Sequence, residues 1–259
     1  MANTVYPNKV IEAKAKDLLL TAVNARSLMT VDTSLAQTAG MTKVVNTYTY
    51  SGEAEELGIG EGNTNRGKID YVPKEYTVKL VQQAFDYYDE DYAKDPGIVD
   101  MMLKGANQVM VNKMFADFKA ACAAATLSHT LAAGFTYDEA VDGINKLNFE
   151  DESALYIALP NSWKADLRKD EDYKAAQMGQ VIYNGQVGTV CGVPVIASKG
   201  FENEGYVMTR EAVKLFLKAD VEVEQDRDPD TRRNSVYLRT SYLVALEDAT
   251  KICKLIKNA

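Results

Sequence analysis

The segment ELGIGEGNTNRGK, residues 56–68, places Gly58, Gly60 and Gly62 at alternate positions and follows them with Arg66, Gly67 and Lys68. Glycines so spaced, with a lysine behind them, are the raw material of a phosphate-cradling loop, in which bare backbone N–H groups approach an anion and a cation reaches it. Such a loop must run from a strand into a helix N-terminus, and its lysine must be followed by Ser or Thr to hold magnesium. Here Ile69 follows Lys68, and IDYVPKEYTVKLV over 69–81 carries Pro73 and β-branched residues without a helical period. That stretch and TKVVNTYTY over 42–50 each read as a strand. Ser51, Gly52 and Asn63 add turn chemistry between them, so the glycines belong to the tip of a long hairpin. A small nucleotide-binding α/β enzyme using Gly58–Gly62 and Lys68 is the distant alternative.

The other reactive residue types are few. His129 is the one histidine, in a small-residue stretch after a predicted helix, and a Ser-His-Asp or Cys-His site would have to be built on it. It reads as a surface or helix-end residue. No HExxH or paired metal-ligand spacing occurs. Asp226, Asp228 and Asp230 match the first, third and fifth ligands of a calcium loop, but Thr231 stands where the sharp-turn glycine belongs and Tyr237 where the bidentate glutamate belongs. The segment is therefore expected to be a charged turn between two strands, with Arg227, Arg232 and Arg233 balancing the acids. Cys122, Cys191 and Cys253 are widely spaced and form no CxxC pair, so they read as reduced packing thiols. No cofactor or metal site is expected.

These residues sit in a chain of 259 with ordinary globular composition, 46% hydrophobic and 25% charged. A chain of this length buries roughly three quarters of its unfolded surface and needs no disulfides. The net charge of -8 argues against a non-specific nucleic-acid binder or a protein drawn to anionic membranes. No apolar run has the length of a membrane span, and the first 23 residues show no signal-peptide pattern. An amphipathic N-terminal helix is expected from Val10, Ile11, Leu18, Leu19, Ala22 and Val23, docked on its own domain or on a neighbour.

Asp95 before Pro96 is expected to start a helix that runs to about residue 126, with Met102, Ala106, Met110, Met114, Phe118 and Cys122 as a four-residue ladder. Beyond 135 the pattern alternates. Thr136 and Glu139 have capping-box spacing before a helix, ALYIALP at 154–160 is a buried strand, and Asn161 is the expected cap of SWKADLRKD. The segment 179–198 reads as strand, turn, strand, and GYVMT as a strand. REAVKLFLK is expected to be a helix capped by Thr209, and DVEVEQDRD and NSVYLRTSYLVALED read as strands. The hairpin has almost no core of its own, and an isolated two-stranded hairpin is marginal in water, so it is expected to gain its order from a second subunit. Glu53, Glu55, Glu56 and Glu61, opposed by Arg66 and Lys68, are candidate interface residues, as are Arg227, Arg232 and Arg233.

Four segments in the second half, ALYIALPNSWKADLRKD, GQVGTVCGVPVIAS, GYVMTREAVKLF and VEVEQDRDPDTRRNSVYLRTSYLVALEDATKICKL, closely resemble, in this order and spacing, the tailed-bacteriophage major capsid protein with the Hong Kong 97-type fold. The first half matches in architecture: arm, extended hairpin, long helix. The resemblance implies an α+β fold with an N-terminal arm at 1–40 and an extended hairpin loop at 41–80. It implies a peripheral domain at 81–130 and 221–259, built on a spine helix, and an axial domain at 131–220. It also implies a structural, non-enzymatic subunit that assembles via pentamers and hexamers into an icosahedral head around double-stranded DNA, without sequence-specific contact to it. Scaffolding and portal proteins are the implied further partners. The implied location is the virion capsid, assembled in the bacterial host cytoplasm. An encapsulin-type nanocompartment shell is the nearest alternative.

Overall fold

A computed structural model of the protein describes residues 25–38, 40–176 and 188–257. The expected N-terminal helix lies in residues outside that set. The described chain opens with a 3-10 turn, Ala25–Leu28, and a short strand, β1 (Thr30–Asp32). This opening segment packs on the rest of the chain: Leu28 and Met29 are buried, and the Leu28 carbonyl accepts a hydrogen bond from the Tyr156 hydroxyl at 2.5 Å.

Three sheets follow. The first is the two-stranded hairpin of β2 (Thr42–Ser51) and β3 (Lys68–Thr77), antiparallel and in unbroken register from Thr42 opposite Thr77 to Ser51 opposite Lys68. The expected single strand over 69–81 is in fact two. The chain leaves the hairpin at Val78, which is buried and donates its N–H to the Met41 carbonyl at 2.7 Å, and continues as β4 (Lys79–Tyr88) in another sheet. Burial of Val78 at the root turns one β-rich run into two strands with different partners.

The second sheet has the order β1-β10-β11-β4, with β10 (Val213–Asp228) and β11 (Arg233–Leu246) as a long antiparallel pair. The expected helix at 210–218 is absent. A turn closed by the Ala212 N–H on the Thr209 carbonyl leads straight into β10, where Val213, Leu215 and Leu217 are buried on one face. Phe216 is buried on the other face, against Leu243 and Val45. A run that is apolar on both faces carries no period of its own, and pairing with β1 and β11 decides it.

The short helix α1 (Asp89–Lys94) and the long α2 (Ile98–Cys122) lie between β4 and the third sheet in sequence. Asp95 acts in the turn before α2, its carboxylate accepting the Gly97 N–H at 2.8 Å, so the helix begins two residues later than expected. It ends at Cys122 rather than near 126, where Ala124 and Ala125 donate to carbonyls three residues back. Its 25 residues make a spine, ~37 Å long at ~1.5 Å per residue. Val99, Leu103 and Met110 of this helix pack with Val223, Val236 and Leu238 of the second sheet.

The third sheet has the order β5-β12-β9-β6-β8-β7, formed by β5 (Leu127–Leu131), β6 (Leu155–Pro160), β7 (Thr189–Val190), β8 (Val193–Ser198), β9 (Glu204–Thr209) and β12 (Ile252–Lys257). The Cys191-Gly192 turn joining β7 to β8 has φ of 52° and 82°, so it is a tight hairpin with both central residues left-handed. The rest of the expected 179–198 unit lies outside the described residues. Strand β12 closes the chain in this sheet, beside β9 and β5, whereas β10 enters the second sheet from residue 213.

Helices α3 (Tyr137–Asn145), α4 (Trp163–Lys169) and α5 (Glu171–Ala176) accompany the third sheet. The Thr136 hydroxyl caps α3 by accepting the Glu139 N–H, as its spacing predicts. Glu139 does not complete a capping box; its carboxylate takes the Ala132 N–H and His129 instead. Asn161 is not the cap of α4, because Ser162 occupies that position without a side-chain bond. Phe135 stacks on Trp163 with ring centroids 5.8 Å apart.

Candidate assembly surfaces

The β2–β3 register assigns every hairpin side chain to a face. Tyr48 lies opposite Tyr71 and Tyr50 opposite Ile69, on the side shared by Val44, Asn46, Pro73 and Glu75; Lys43, Val45, Thr47, Thr49, Ser51, Lys68, Asp70, Val72, Lys74 and Tyr76 occupy the other, where Val45 is buried at the root. The aromatic face is open. Tyr48 is 66% exposed, Tyr50 70%, Tyr71 64% and Ile69 64%. Four large apolar side chains thus cluster on one face towards the tip, and among the described residues nothing buries them. These residues were not among the candidates drawn from the sequence. The alternating tyrosines of TYTY carry the signal, but its meaning depends on knowing the register with β3.

Tyr50 shapes the end of the ladder. Its ring lies across Gly67, where a Cβ would overlap it, and beside Gly52, where a Cβ would come within 2.8 Å of the hydroxyl. Both glycines give this ring its place over bare backbone, an aromatic cover for glycine in a strand pair.

The tip is organised by its acids. The Glu55 carboxylate accepts the Thr64 hydroxyl at 2.5 Å, the Thr64 N–H at 2.7 Å and the Asn65 N–H at 2.7 Å, across nine and ten residues of chain. These bonds, the Thr64 hydroxyl first, hold the Glu55 carboxyl below its ordinary value. Glu61 accepts the Gly58 N–H at 3.0 Å, closing a turn in which Gly60 has φ 87°. The opposed charges expected here do not pair within the chain: among the described residues neither Arg66 nor Lys68 has a carboxylate within 4 Å, and Glu53, Glu56, Arg66 and Lys68 all stand exposed. The segment opens no helix, since Lys68 begins β3, and the phosphate-loop geometry is not formed.

The root, by contrast, is fixed. The carboxylate of Asp117 on α2 accepts Lys79 at 3.0 Å, Lys113 at 2.9 Å and the Tyr242 hydroxyl at 2.9 Å. Burial pushes the Asp117 carboxyl up, but the bonds from Lys113, Lys79 and Tyr242 outweigh it and hold the group below its ordinary value. The same burial, with the Asp117 charge beside it, raises the Tyr242 phenol. Lys79 is the first residue of β4, two beyond the end of the hairpin, so this node ties the hairpin root to the spine helix and to β11.

The arginines of the charged turn look away from its aspartates. Arg227 reaches Asp89 at 2.9 Å, Arg232 reaches Glu90 at 2.8 Å and Arg233 lies 4.0 Å from Asp86, all across to β4 and α1. Asp228 instead shapes the turn, accepting the Asp230 N–H and the Thr231 hydroxyl, while Arg232 takes φ 55°. His129 lies on β5 with its Nε2 2.6 Å from the Glu139 carboxylate. Cys122 and Cys253 are buried and Cys191 is exposed. No group of three or more His, Cys, Asp or Glu suited to a metal ion occurs among the described residues.

No protein-family model matches the chain. It is 25% identical over 242 residues to the major capsid protein of Staphylococcus phage phiMR11, an alignment covering 90% of this chain and 86% of that one. Its fold superposes on the capsid of cyanophage P-SCSP1u with a TM-score of 0.67 at 12% identity, covering 89% and 86% of the two chains. It superposes on the virus-like particle from Pyrococcus furiosus with a TM-score of 0.66 at 10% identity, covering 97% of this chain and 100% of that one. The described chain thus has the Hong Kong 97-type fold of these capsid and virus-like-particle structures.

Proposed function

We propose that this chain is the structural shell subunit of a tailed-phage head, assembling via pentamers and hexamers into an icosahedral shell around double-stranded DNA. The observation that carries the proposal is the hairpin: a ten-residue strand pair with an open aromatic face and four exposed, uncommitted charges at its tip. Such a face is stable in water only when something covers it. In a shell the cover is another copy. Heterologous contacts of this kind close into rings, and repeated over a shell, weak polar contacts of ~0–1 kcal/mol each let assembly correct itself. On this reading 1–40 is the arm, 41–80 the extended loop, 81–130 with 221–259 the peripheral domain, and 131–220 the axial domain at the capsomer centre. The candidate contacts are Glu53, Glu55, Glu56, Glu61, Arg66 and Lys68 at the tip and Arg227, Arg232 and Arg233 at the charged turn.

The net charge of -8 supports a container rather than a binder of DNA, because a shell that held phosphates tightly would oppose release. Scaffolding and portal proteins complete the partner set, and the shell forms in the host cytoplasm before becoming the virion capsid. The near full-length likeness to a virus-like particle favours one second reading, an encapsulin-type nanocompartment; what fills the shell, DNA or a cargo enzyme, separates the two.

The test is light scattering on the purified protein with microscopy of the largest species. Closed shells, or rings of five and six, are expected. Deleting residues 53–66 is expected to leave a folded subunit that assembles poorly; shells at the parent's yield from that deletion would overturn the hairpin's role.

A further inference from the structure

Among the described residues four long strand edges carry no partner: the outer edges of β2, β3 and β4, and that of β10 beyond its short pairing with β1. The free edges at β1, β5 and β7 have only three, five and two residues. A free edge is a template for a further strand, and monomers blunt it with proline, bulges or charge. The register shows which backbone groups each edge offers. The Val78 N–H bonds the Met41 carbonyl one step beyond Thr42 opposite Thr77, so those two residues form a bonded pair. Bonded pairs alternate along an antiparallel ladder. Thr42, Val44, Asn46, Tyr48 and Tyr50 therefore turn their N–H and C=O groups outward from β2, and Pro73 faces outward from β3. Likewise the Asp89 N–H bonds the Arg232 carbonyl at 3.2 Å, one step beyond Tyr88 opposite Arg233. Leu80, Gln82, Ala84, Asp86 and Tyr88 therefore turn their backbone groups outward from β4.

Two of the four edges are guarded. Pro73 leaves the middle of the β3 edge without a donor. The open part of β10 has two register shifts and then acids at alternate positions, Asp220, Glu222, Glu224, Asp226 and Asp228. The edges of β2 and β4 have neither device. Both strands keep unbroken register over ten residues and contain no proline. The one charge on β2 is Lys43. The two on β4, Lys79 and Asp86, are engaged by Asp117 and Arg233 of the same subunit.

We infer that β2 of one copy adds edge-on to β4 of a second copy, antiparallel, with Thr42 opposite Tyr88 and Tyr50 opposite Leu80. This is the antiparallel register that matches all five outward residues of one edge with all five of the other. It brings Tyr50, 70% exposed, beside Leu80, 62% exposed, and sets no like charges opposite one another. The two-stranded hairpin then becomes an extension of the neighbour's four-stranded sheet. Pairing β2 with its own copy would leave β4 bare, whereas β2 on β4 uses both unguarded edges. The contact is heterologous, and each copy carries one of each edge, so it repeats from copy to copy. The inference rests on the reading that copies of this chain assemble, and names the edges through which they do.

The test is disulfide trapping in the full chain with the exposed Cys191 changed to Ser. Thr47 and Gln83 would form a non-bonded pair in this register, with Cα atoms ~4.5 Å apart, within the span of a disulfide. Thr47→Cys with Gln83→Cys is expected to give chains joined in series through 47 and 83 on mild oxidation, and neither single variant should link. Asn46→Pro in that background removes one outward N–H and spares the bonds to β3; it should lower the linked yield about tenfold, while Asn46→Ala should link as before. Linking by Thr47→Cys alone would overturn the inference by pairing β2 with itself. Equal loss in Asn46→Pro and Asn46→Ala would overturn it by making the contact one of side chains. Rings or shells without the 47–83 link would overturn it and leave the shell reading standing. Linked chains that never close into rings or shells would uphold it against the shell reading, and a strict monomer without links would overturn both.

Discussion

Strand β6 and the hairpin β2–β3 both carry aliphatic and aromatic side chains and live in opposite surroundings. All six residues of β6 are buried. Leu155, Ile157 and Leu159 face the cluster around Phe135 and Trp163, and Tyr156 and Ala158 face the one around Phe118 and Tyr206. In the hairpin only Val45 is buried among twenty ladder residues, ten in each strand. β-propensity measures how well a side chain fits a covered pleated surface, so β6 has the cover its side chains require, while Tyr48, Tyr50, Ile69 and Tyr71 of the hairpin do not. The subunit holds itself together through the first region and leaves the second for contact with something else.

That contrast breaks first at β6. Ile157→Ala removes a side chain with no residual exposure and is expected to destabilise the subunit by about 2–5 kcal/mol. That is a large part of the ~5–15 kcal/mol a domain has, and chemical denaturation of the soluble subunit reads it. A loss comparable to a surface substitution would mean that the sheet is not the stable half.

The node between the two regions comes next. Asp117→Ala leaves the Tyr242 hydroxyl, 1% exposed, without its acceptor, and is expected to cost about 1–3 kcal/mol. Because the folded Asp117 carboxyl lies below its ordinary value of 3.8, its stabilisation is full above that value and fades as pH falls through the lowered one. The gap between parent and Asp117→Ala should therefore be constant from pH 8 down to ~5 and shrink below ~4. A gap that widens with acid would mean that the lysines, not the carboxylate, hold the root.

The hairpin face itself should scarcely register in folding. Tyr48→Ser with Tyr71→Ser removes one cross-strand pair, worth up to ~1 kcal/mol. The same double substitution should sharply lower shell yield, since it strips the open face. Equal loss in both assays would place the tyrosines in the subunit's own core, against the contrast drawn here.

How much of this was legible in the sequence follows the same division. Elements with a clear period were read correctly: the hairpin, the ladder of α2, the buried β6, the Thr136 cap. The segment 213–217 was not, because Leu215 and Phe216 are buried on opposite faces of β10 and leave neither a period of 2 nor one of 3.6. Val78 was missed for a related reason: a change of partner leaves no mark in a run of β-forming residues. The charges were found but their partners were not. Arg227, Arg232 and Arg233 turn to Asp89, Glu90 and Asp86 rather than to the neighbouring aspartates, and those pairings arise only when β4 lies beside β11. Asp117, which gathers Lys79, Lys113 and Tyr242, sits in the sequence as one polar residue on a helix.

The smallest effect is expected at the hairpin tip, and it is the most selective. Glu55 is only partly exposed and belongs to no core cluster, and it bridges the two limbs of the loop through Thr64 and Asn65. Its carboxyl is held below the ordinary 4.5 by those bonds, so loop order is complete above that value and is lost as pH falls through the lowered one. Glu55→Gln keeps an acceptor oxygen but loses the charge that strengthens three converging donors. Hydrogen exchange at Thr64 and Asn65 should quicken in Glu55→Gln at neutral pH and in the parent only in acid, with the unfolding midpoint unchanged in both. Should Glu55→Gln instead shift the midpoint, the tip would be part of the subunit's fold; should it alter assembly but not exchange, the carboxylate would be engaged by a neighbouring copy rather than by its own loop. The order seen at the tip therefore belongs to the loop alone only if exchange changes and the midpoint does not.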